Sequence, residues 1–587
     1  MTSETVGGAV HSDVSPVELV KAGSRHLRGS IDDDLAGKGA FSAENGHLLK
    51  FHGIYQQDDR DRRRELARTK QSLAFSCMVR CSVPGGVLGR EQWFAIDRLA
   101  DDVADGRLRL TTRQGVQYHF VHKGDLRTLI SGLDRGLVTT YAACGDVVRN
   151  VMVTSAPARG RDLGRLDGLA RSLSERFRPS SDAYWELWLD GERAVSHEPV
   201  PANNGSTADA EPMYGAAYLP RKFKIGIAWP GDNSIDVFSN DVGLVLVDGV
   251  DGRPGAVVLA GGGLGRSHTD DTTFPRLAEP LAWVPDDRLG DVVEAIVTTF
   301  RDHGNRGDRT HARLKYLVEA RGIDWLRSEV EDRLGTALDD PRPIPAWGGS
   351  RDHLGWHRQD GDRWYLGIPV PTGRLEDTEQ SERRTAVRCV LQQYADEVRL
   401  TPHQDLLLCN IANGDRAAVE ALLAEHRVPL ARHLPLSVLS SMACPALPTC
   451  GQALGEAERI LPDLTDLLDG LLTERDLRNV RIETRMTGCP NGCARPYVAE
   501  LGIVGRTKSA YDLFVGGDAA GTRLATLLVE SVPFTEIADV LAPLLDRFGA
   551  ERRGEEGFGD WANRVGVAAL RVDLPSFGRT RVPVGSQ

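Results

Sequence analysis

The chain has 587 residues, with 71 Lys and Arg against 83 Asp and Glu, a net charge of -12 and 41% hydrophobic residues. That length exceeds one hydrophobic core and predicts about two to four domains. The negative balance disfavours nucleic acid as a partner, and no apolar run is long enough for a membrane span.

Residues 1–45 are polar and mixed in charge, and read as a loosely ordered arm or a wrap over the body. Met1-Thr2-Ser3-Glu4-Thr5 lacks the basic-then-apolar order of a secretory signal. The charge run Asp58 to Lys70 reads as a solvated helix face, or as a segment beside an anionic cofactor. Leu73 to Val83 is an apolar strand with basic interruptions, closed by the turn Pro84-Gly85-Gly86. Trp93 to Val103 predicts a helix. Leu108 to Phe120 alternates and predicts one strand, with 109, 111, 113, 115 and 117 on one face. An inward row of arginine and glutamine there needs an anion or a polar ligand to satisfy it.

Ala143 to Asn150 is a turn into a new segment, and 161–176 is an amphipathic helix. A strand is expected at 184–190 and a small-polar loop from Asn203 to Asp209. Tyr218 to Trp229 starts a strand with basic residues; Val242 to Leu246 and Val257 to Gly263 are further strands. The cluster Gly261-Gly262-Gly263-Leu264-Gly265 suits a phosphate or carboxylate loop. It lacks the glycine order of a dinucleotide site. Helices are expected at about 287–302 and 309–336, followed by the linker Pro341-Arg342-Pro343-Ile344-Pro345.

The sequence then starts again. Trp364 to Gly373 echoes Phe75 to Gly86, and Val398 to Gln404 echoes Leu108 to Gln114. Glu500 to Val504 echoes Asp241 to Val245, and Phe514-Val515-Gly516-Gly517 echoes Leu259-Ala260-Gly261-Gly262. The shared order of these short matches indicates an internal duplication. It implies a pseudo-two-fold body with a ligand at the seam.

Nine cysteines in such a chain are no disulfide scaffold, and a reducing cytoplasm is the expected compartment. Cys77, Cys81, Cys144, Cys389 and Cys409 fall mostly in apolar runs and read as core or pocket wall. Cys444 and Cys450 have five residues between them; Cys489 and Cys493 have three. Prolines and glycines surround them. Four buried free cysteines, structural zinc and an iron–sulfur cluster all remain open. Zinc pairs usually have about two to four residues between ligands, so the wider gap favours the cluster. Such a cluster moves single electrons. No flavin or nicotinamide fingerprint is visible, so a separate protein must supply them. Arg80, Arg113, Arg149, Lys222 and Lys224 sit at strand starts and turns, and as a set they suggest a pocket for an anion. Buried lysines among cations can also deliver protons.

Thr487-Gly488-Cys489-Pro490-Asn491-Gly492-Cys493, Leu110-Thr111-Thr112-Arg113-Gln114, Ala143-Cys144-Gly145-Asp146 with Arg149-Asn150, and Arg221-Lys222-Phe223-Lys224 resemble the sulfite and nitrite reductase family. The resemblance spans roughly residues 45 to 560. It implies an α+β, internally duplicated fold with pseudo-two-fold symmetry and cofactors at the interface of the halves. The implied cofactors are siroheme and a 4Fe-4S cluster. Cys444, Cys450, Cys489 and Cys493 would hold the cluster, and Cys493 would bridge it to the siroheme iron. Arg80, Arg149, Lys222 and Lys224 would face the substrate; Arg113, Gln117 and Asn240 would lie at the siroheme.

The implied organisation is an arm (1–45), a ferredoxin-like half (46–135), an α/β domain with the substrate cations (136–340), a second ferredoxin-like half (341–425) and a cluster-bearing α/β domain (426–587). The implied reaction is six-electron reduction of sulfite to sulfide by a monomer fed by reduced ferredoxin. An NADPH-dependent flavoprotein donor is one alternative, and nitrite reduction to ammonia is the other. His52-Gly53-Ile54-Tyr55 and Ala143-Cys144-Gly145-Asp146 look more like the sulfite branch.

Overall fold

The computed structural model describes residues 14–37, 39–180, 211–348, 352–572 and 574–577. The strand expected at 184–190 and the loop at 203–209 lie outside these residues. Among the described residues no helix is long and apolar enough to cross a membrane.

Among the described residues twenty strands follow one another in four groups of five. The first is β1 (Ile54–Asp58), β2 (Phe75–Arg80), β3 (Val87–Gly89), β4 (Leu108–Leu110) and β5 (Val116–Val121). The second is β6 (Met152–Val153), β7 (Ile225–Ala228), β8 (Val242–Leu246), β9 (Gly255–Ala260) and β10 (Glu279–Pro285). The third is β11 (Gly355–Arg358), β12 (Arg363–Ile368), β13 (Arg374–Leu375), β14 (Glu397–Leu400) and β15 (Leu406–Ala412). The fourth is β16 (Ser441–Ala443), β17 (Thr484–Thr487), β18 (Leu501–Gly505), β19 (Ala510–Val515) and β20 (Thr526–Pro533).

The third group repeats the first, and the fourth repeats the second. Sheet orders are β10-β9-β8-β7-β6 and β16-β17-β18-β19-β20, each with two parallel pairings followed in the chain by two antiparallel ones. Central strands such as β8, Val-Gly-Leu-Val-Leu, are buried throughout, as expected where both sheet faces are covered. The halves then exchange strands. β13 joins β4 in the sheet β1-β2-β5-β4-β13, while β3 joins β14 in β11-β12-β15-β14-β3. The duplicated body is therefore interlocked.

Each exchange joint buries an arginine. Arg109 of β4 stands opposite Arg374 of β13. Like charges facing across a strand pair repel, and Glu458 offsets this by binding both, at 2.9 Å from Arg109 and 2.7 Å from Arg374. At the other joint Arg399 of β14 binds Asp167 at 2.7 Å. Asp167 lies on the helix Leu163–Arg176, whose repeat is the helix Leu461–Glu474 beside Glu458.

Helices cover the sheets with apolar stripes. In Leu126–Arg135 the buried residues are Leu126, Leu129, Ile130 and Leu133. That spacing gives one apolar face, and each such side chain contributes about 1.5–3 kcal/mol on full burial. The helix expected at 309–336 is two, Leu314–Arg321 and Ile323–Leu334, broken at Gly322 with φ 87°. The single strand expected from Leu108 to Phe120 is also two. Thr111 to Gly115 is a tight turn, closed by Thr111 N–H donating to Gly115 O at 2.9 Å, with Gln114 at φ 54°. The turn breaks the alternation that would have put 109 to 117 on one face.

Residues 16–48 hold three short helices, Pro16–Ala22, Ile31–Ala36 and Ala43–Leu48, and bury Leu27 and Ile31 fully. This segment is a docked wrap.

Candidate active site

A cavity of about 530 Å³ opens where the repeats meet. Its walls include Cys444, Cys450, Cys489 and Cys493 on one side, and Arg80, Arg149 and Lys222 on the other. Residues from the first, second and fourth strand groups thus share one space.

The cysteines arrive from two loops after parallel strands. Cys444 follows β16, and Cys489 to Cys493 follow β17. The β16–β17 pairing sets the two loops side by side. Gly488 has no room for a side chain, since a Cβ would meet Ala446 and Gly455 at 2.6 Å. Arg109 Nη2 and Gln404 Nε2 each donate to Ala443 O at 2.8 Å, fixing the backbone just before Cys444. Burial, then the neighbouring thiols, push Cys444 well up and Cys489 up to about 12. Protons held so tightly leave only when a metal replaces them. Among the described residues the one trio of His, Cys, Asp or Glu ligand atoms within 4.8 Å of one another is Asp270, Asp308 and His311. The four sulfurs are therefore spread wider than one tetrahedral zinc, with Zn–S bonds of about 2.3 Å, would hold them. A cluster fits; zinc does not.

On the facing wall Arg80 and Gln117 are cross-strand partners of β2 and β5. With its oxygen turned to Arg80, the Gln117 amide accepts from Nη2 at 2.5 Å and Nε at 2.9 Å. Arg80 Nη1 also lies 3.1 Å from Cys144 Sγ. Arg149 is held by Gly145 O, to which Nε and Nη2 donate at 3.2 Å. Lys222 Nζ has its pKa lowered to about 7 by burial and by Arg149, Arg221 and Arg313. Among the described residues the Lys222 and Arg221 side chains make no hydrogen bond or ion pair, and Asp146 acts on Arg221 only from a distance. Buried His119, also in the wall, has both ring nitrogens without a partner among the described residues. Unpaired, half-buried cations and an orphaned imidazole fit a polyanionic ligand, as the many carboxylates of siroheme would be.

Lys224, Arg113 and Asn240 do not line this cavity. They pack behind its wall. Arg113 Nη1 donates to Asn240 Oδ1 at 3.0 Å, and Nη2 to Asn150 O at 2.7 Å. The Lys224 backbone N–H donates to Asp241 at 2.9 Å, and burial with Arg113, Arg313 and Lys222 lowers its ammonium pKa well below the usual value. On a regular strand Arg221 would face away from Lys222 and Lys224. It lines the cavity with Lys222, because 220–224 precede β7 and do not alternate as a strand. The N-terminal wrap also reaches this space: Val17 is in the wall.

Sequence reasoning missed Tyr55, His119 and Arg309 as wall residues. Tyr55 was in view within Gly53-Ile54-Tyr55, but nothing in the spacing set its ring apart. The glycine cluster after β9 serves close packing. A Cβ on Gly262 would meet Phe238 O at 2.2 Å and Asn240 O at 2.4 Å. The nearby carbonyls of Gly263 and Gly265 accept from Lys315 Nζ at 3.1 and 2.8 Å.

Residues 171–338 and 437–575 match the nitrite and sulphite reductase 4Fe-4S domain, and residues 70–135 and 357–426 match the nitrite/sulfite reductase ferredoxin-like half domain. Each matches twice, as the duplicated topology requires. A sulfite reductase (NADPH) hemoprotein beta-component from Xanthomonas campestris is 42% identical over 559 residues, 94% of this chain and 97% of that one. A sulfite reductase (ferredoxin) from Synechococcus elongatus is 42% identical over 580 residues, 97% of this chain and 92% of that one. The solved structure of the Mycobacterium tuberculosis NirA protein superposes with a TM-score of 0.76 at 25% identity, covering 94% of this chain and 97% of that one. The chain is an oxidoreductase of the nitrite and sulfite reductase family, whose cofactors are siroheme and a 4Fe-4S cluster.

Proposed function

We propose that this enzyme reduces sulfite to sulfide, taking electrons from a separate protein. The observation that carries the reading is the single cavity in which four cysteines face Arg80, Arg149 and Lys222. Siroheme and the cluster, when bound, supply a substrate-binding iron and single-electron transfer. Cys444, Cys450, Cys489 and Cys493 would hold the cluster, with Cys493, the exposed cysteine of the four, turned to the siroheme side.

The chain's own residues do the rest. Arg80 and Arg149 offset the charge of an oxyanion and polarise its oxygens. Gln117 and Cys144 hold Arg80 at a fixed angle. Lys222, lowered to about 7, gives up protons near neutral pH as the three oxygens leave as water. Lys224 is lowered well below its usual value, by burial and in part by Lys222, and does not line the cavity. Arg113 and Asn240 brace the wall.

Names of relatives support sulfite as substrate, as they do a flavoprotein donor: the Xanthomonas campestris and Staphylococcus saprophyticus proteins, 42% and 40% identical, are named NADPH hemoprotein components. The Synechococcus elongatus protein, 42% identical, favours ferredoxin as the second reading. Sulfide release driven by reduced methyl viologen, compared with ammonia release from nitrite, tests the substrate. A kcat/KM higher for nitrite overturns it. Turnover with NADPH plus a flavoprotein reductase, beside turnover with reduced ferredoxin, decides the donor.

A further inference from the structure

We propose that Lys21, on the N-terminal helix Pro16–Ala22, is a positioning residue for the oxyanion: it bolts together, from behind, the segments that carry Arg149 and Lys222. The inference rests on the sulfite reading above for its kinetic part only.

Lys21 is fully buried. Its Nζ donates to Leu219 O at 2.7 Å and lies 3.5 Å from Asp146 Oδ2. Leu219 stands three residues before Lys222, and Asp146 three before Arg149. One ammonium thus reaches both substrate-facing segments at the same offset. The segments also touch directly. Leu219 N–H donates to Asp146 O at 3.0 Å, Phe223 N–H to Val147 O at 3.0 Å, and Arg149 N–H to Phe223 O at 2.9 Å. Lys21 closes the open end of this short ladder.

The surroundings hold the lysine in place. Glu18 pairs with it at 2.6 Å, and also with Arg306 and, at 3.5 Å, Arg309. Arg309 pairs with Asp146 at 2.9 Å. Ser15 N–H donates to Arg306 O at 2.9 Å and fixes the helix start. If the helix only needed to pack, an apolar residue would serve as well, since buried charge is costly and a hydrophobe in its place is often neutral or stabilising. Glu18 and Asp146 keep Arg306 and Arg309 when Lys21 is lost, so Lys21→Met strands neither carboxylate.

The test compares the full-length holoenzyme with its Lys21→Met and Glu18→Gln variants in two ways. Hydrogen exchange of backbone amides is expected to quicken in both 143–149 and 219–223 in Lys21→Met, and less in Glu18→Gln. With reduced methyl viologen as donor, KM for sulfite is expected to rise roughly tenfold with kcat within about twofold, the pattern of weakened ground-state positioning. Faster exchange confined to residues 15–31, with KM unchanged, overturns the proposal. Should Lys21→Met fail to fold, unchanged exchange and unchanged KM in Glu18→Gln overturn it equally. Absence of sulfite turnover in the unaltered enzyme counts against the substrate reading, while the exchange experiment still decides the bolt.

Discussion

Asp236 and Arg495 occupy the same position in the two copies of the repeat, and they are ion-paired to each other. Asp236 has φ 48° and precedes the turn Val237–Ser239; Arg495 has φ 59° and precedes Pro496–Val498. The two side chains meet at 2.8 Å across the pseudo-two-fold, and Arg485 joins them at 2.6 Å from Asp236. Asp236 and Arg485 are completely buried. Arg495 stands two residues after Cys493, so the axis of the fold and the cysteine loop share one charge network.

Asp236→Asn is expected to destabilise the protein by about 3–5 kcal/mol, because it leaves two buried guanidinium groups without their carboxylate. Urea unfolding at neutral pH measures this. A loss under about 1 kcal/mol means that Arg485 and Arg495 are compensated elsewhere.

Much of this was legible in the residues. Echoed segments gave the duplication, since β2 with β12, β4 with β14, β8 with β18 and β9 with β19 are the repeated strands. Gln114 and Gln404 were aligned, and they do equivalent work: each reaches a carbonyl at the end of the first strand of the next α/β unit, Val153 O at 2.9 Å and Ala443 O at 2.8 Å. What was not legible lacks a local pattern. β3 and β13 are three and two residues long, too short to show a period. The turn at Thr111 to Gly115 is hidden because the residues on either side of it, Leu108 to Leu110 and Val116 to Tyr118, alternate in polarity. Lys21 sits in a segment whose polar composition hides a buried charge cluster, and only the fold brings Asp146 and Leu219 to it.

Replacing Cys450 with serine is expected to abolish the cluster and to lower siroheme retention with it. The side chain contributes one of four sulfurs to the cavity, and its neighbours are fixed: Cys450 N–H donates to Ala446 O at 2.8 Å. Serine is a poor ligand for a soft iron–sulfur site. Iron and labile sulfide analysis, beside the visible spectrum, checks the outcome. Four irons retained per chain would remove Cys450 from the ligand set.

Of the two lysines, Lys222 is the one that titrates near neutrality, lowered to about 7. Above that pH it is neutral and has no proton to give. With saturating sulfite and reduced methyl viologen, kcat is expected to fall as pH rises through about 7, and to stay high below it. Following kcat keeps the titration of free sulfite out of the profile. Lys222→Met is expected to lose roughly 10² or more in kcat and to flatten the alkaline limb. Because the Arg221 guanidinium shares the cavity, KM for sulfite is expected to rise several-fold in Arg221→Met. A Lys222→Met enzyme with an unchanged alkaline limb assigns the proton to another group.

The charge run at 58–70 lies against the cluster loop. Arg60 Nη1 donates to Cys450 O at 3.1 Å and to Ala453 O at 2.6 Å, and Arg60 N–H donates to Pro448 O at 3.3 Å. From there the helix Arg63–Arg68 leads outward, and Arg62, Arg64, Arg68 and Lys70 are exposed. Leu73 and Phe75, 38% and 39% exposed, adjoin it. A basic, partly apolar face beside the cluster, on a chain of net charge -12, is where an acidic electron donor gains most from electrostatic complementarity. The double change Arg62→Glu with Arg64→Glu reverses two exposed charges and leaves Arg60 in place. Turnover with reduced methyl viologen is expected to be unchanged, because so small a donor needs no docking face. KM for the protein donor is expected to rise roughly tenfold at low salt, and the difference from the unaltered enzyme to shrink as salt screens the contact over about 8 Å at 0.15 M. An unchanged donor KM in the doubly reversed protein would place the docking face elsewhere on the molecule.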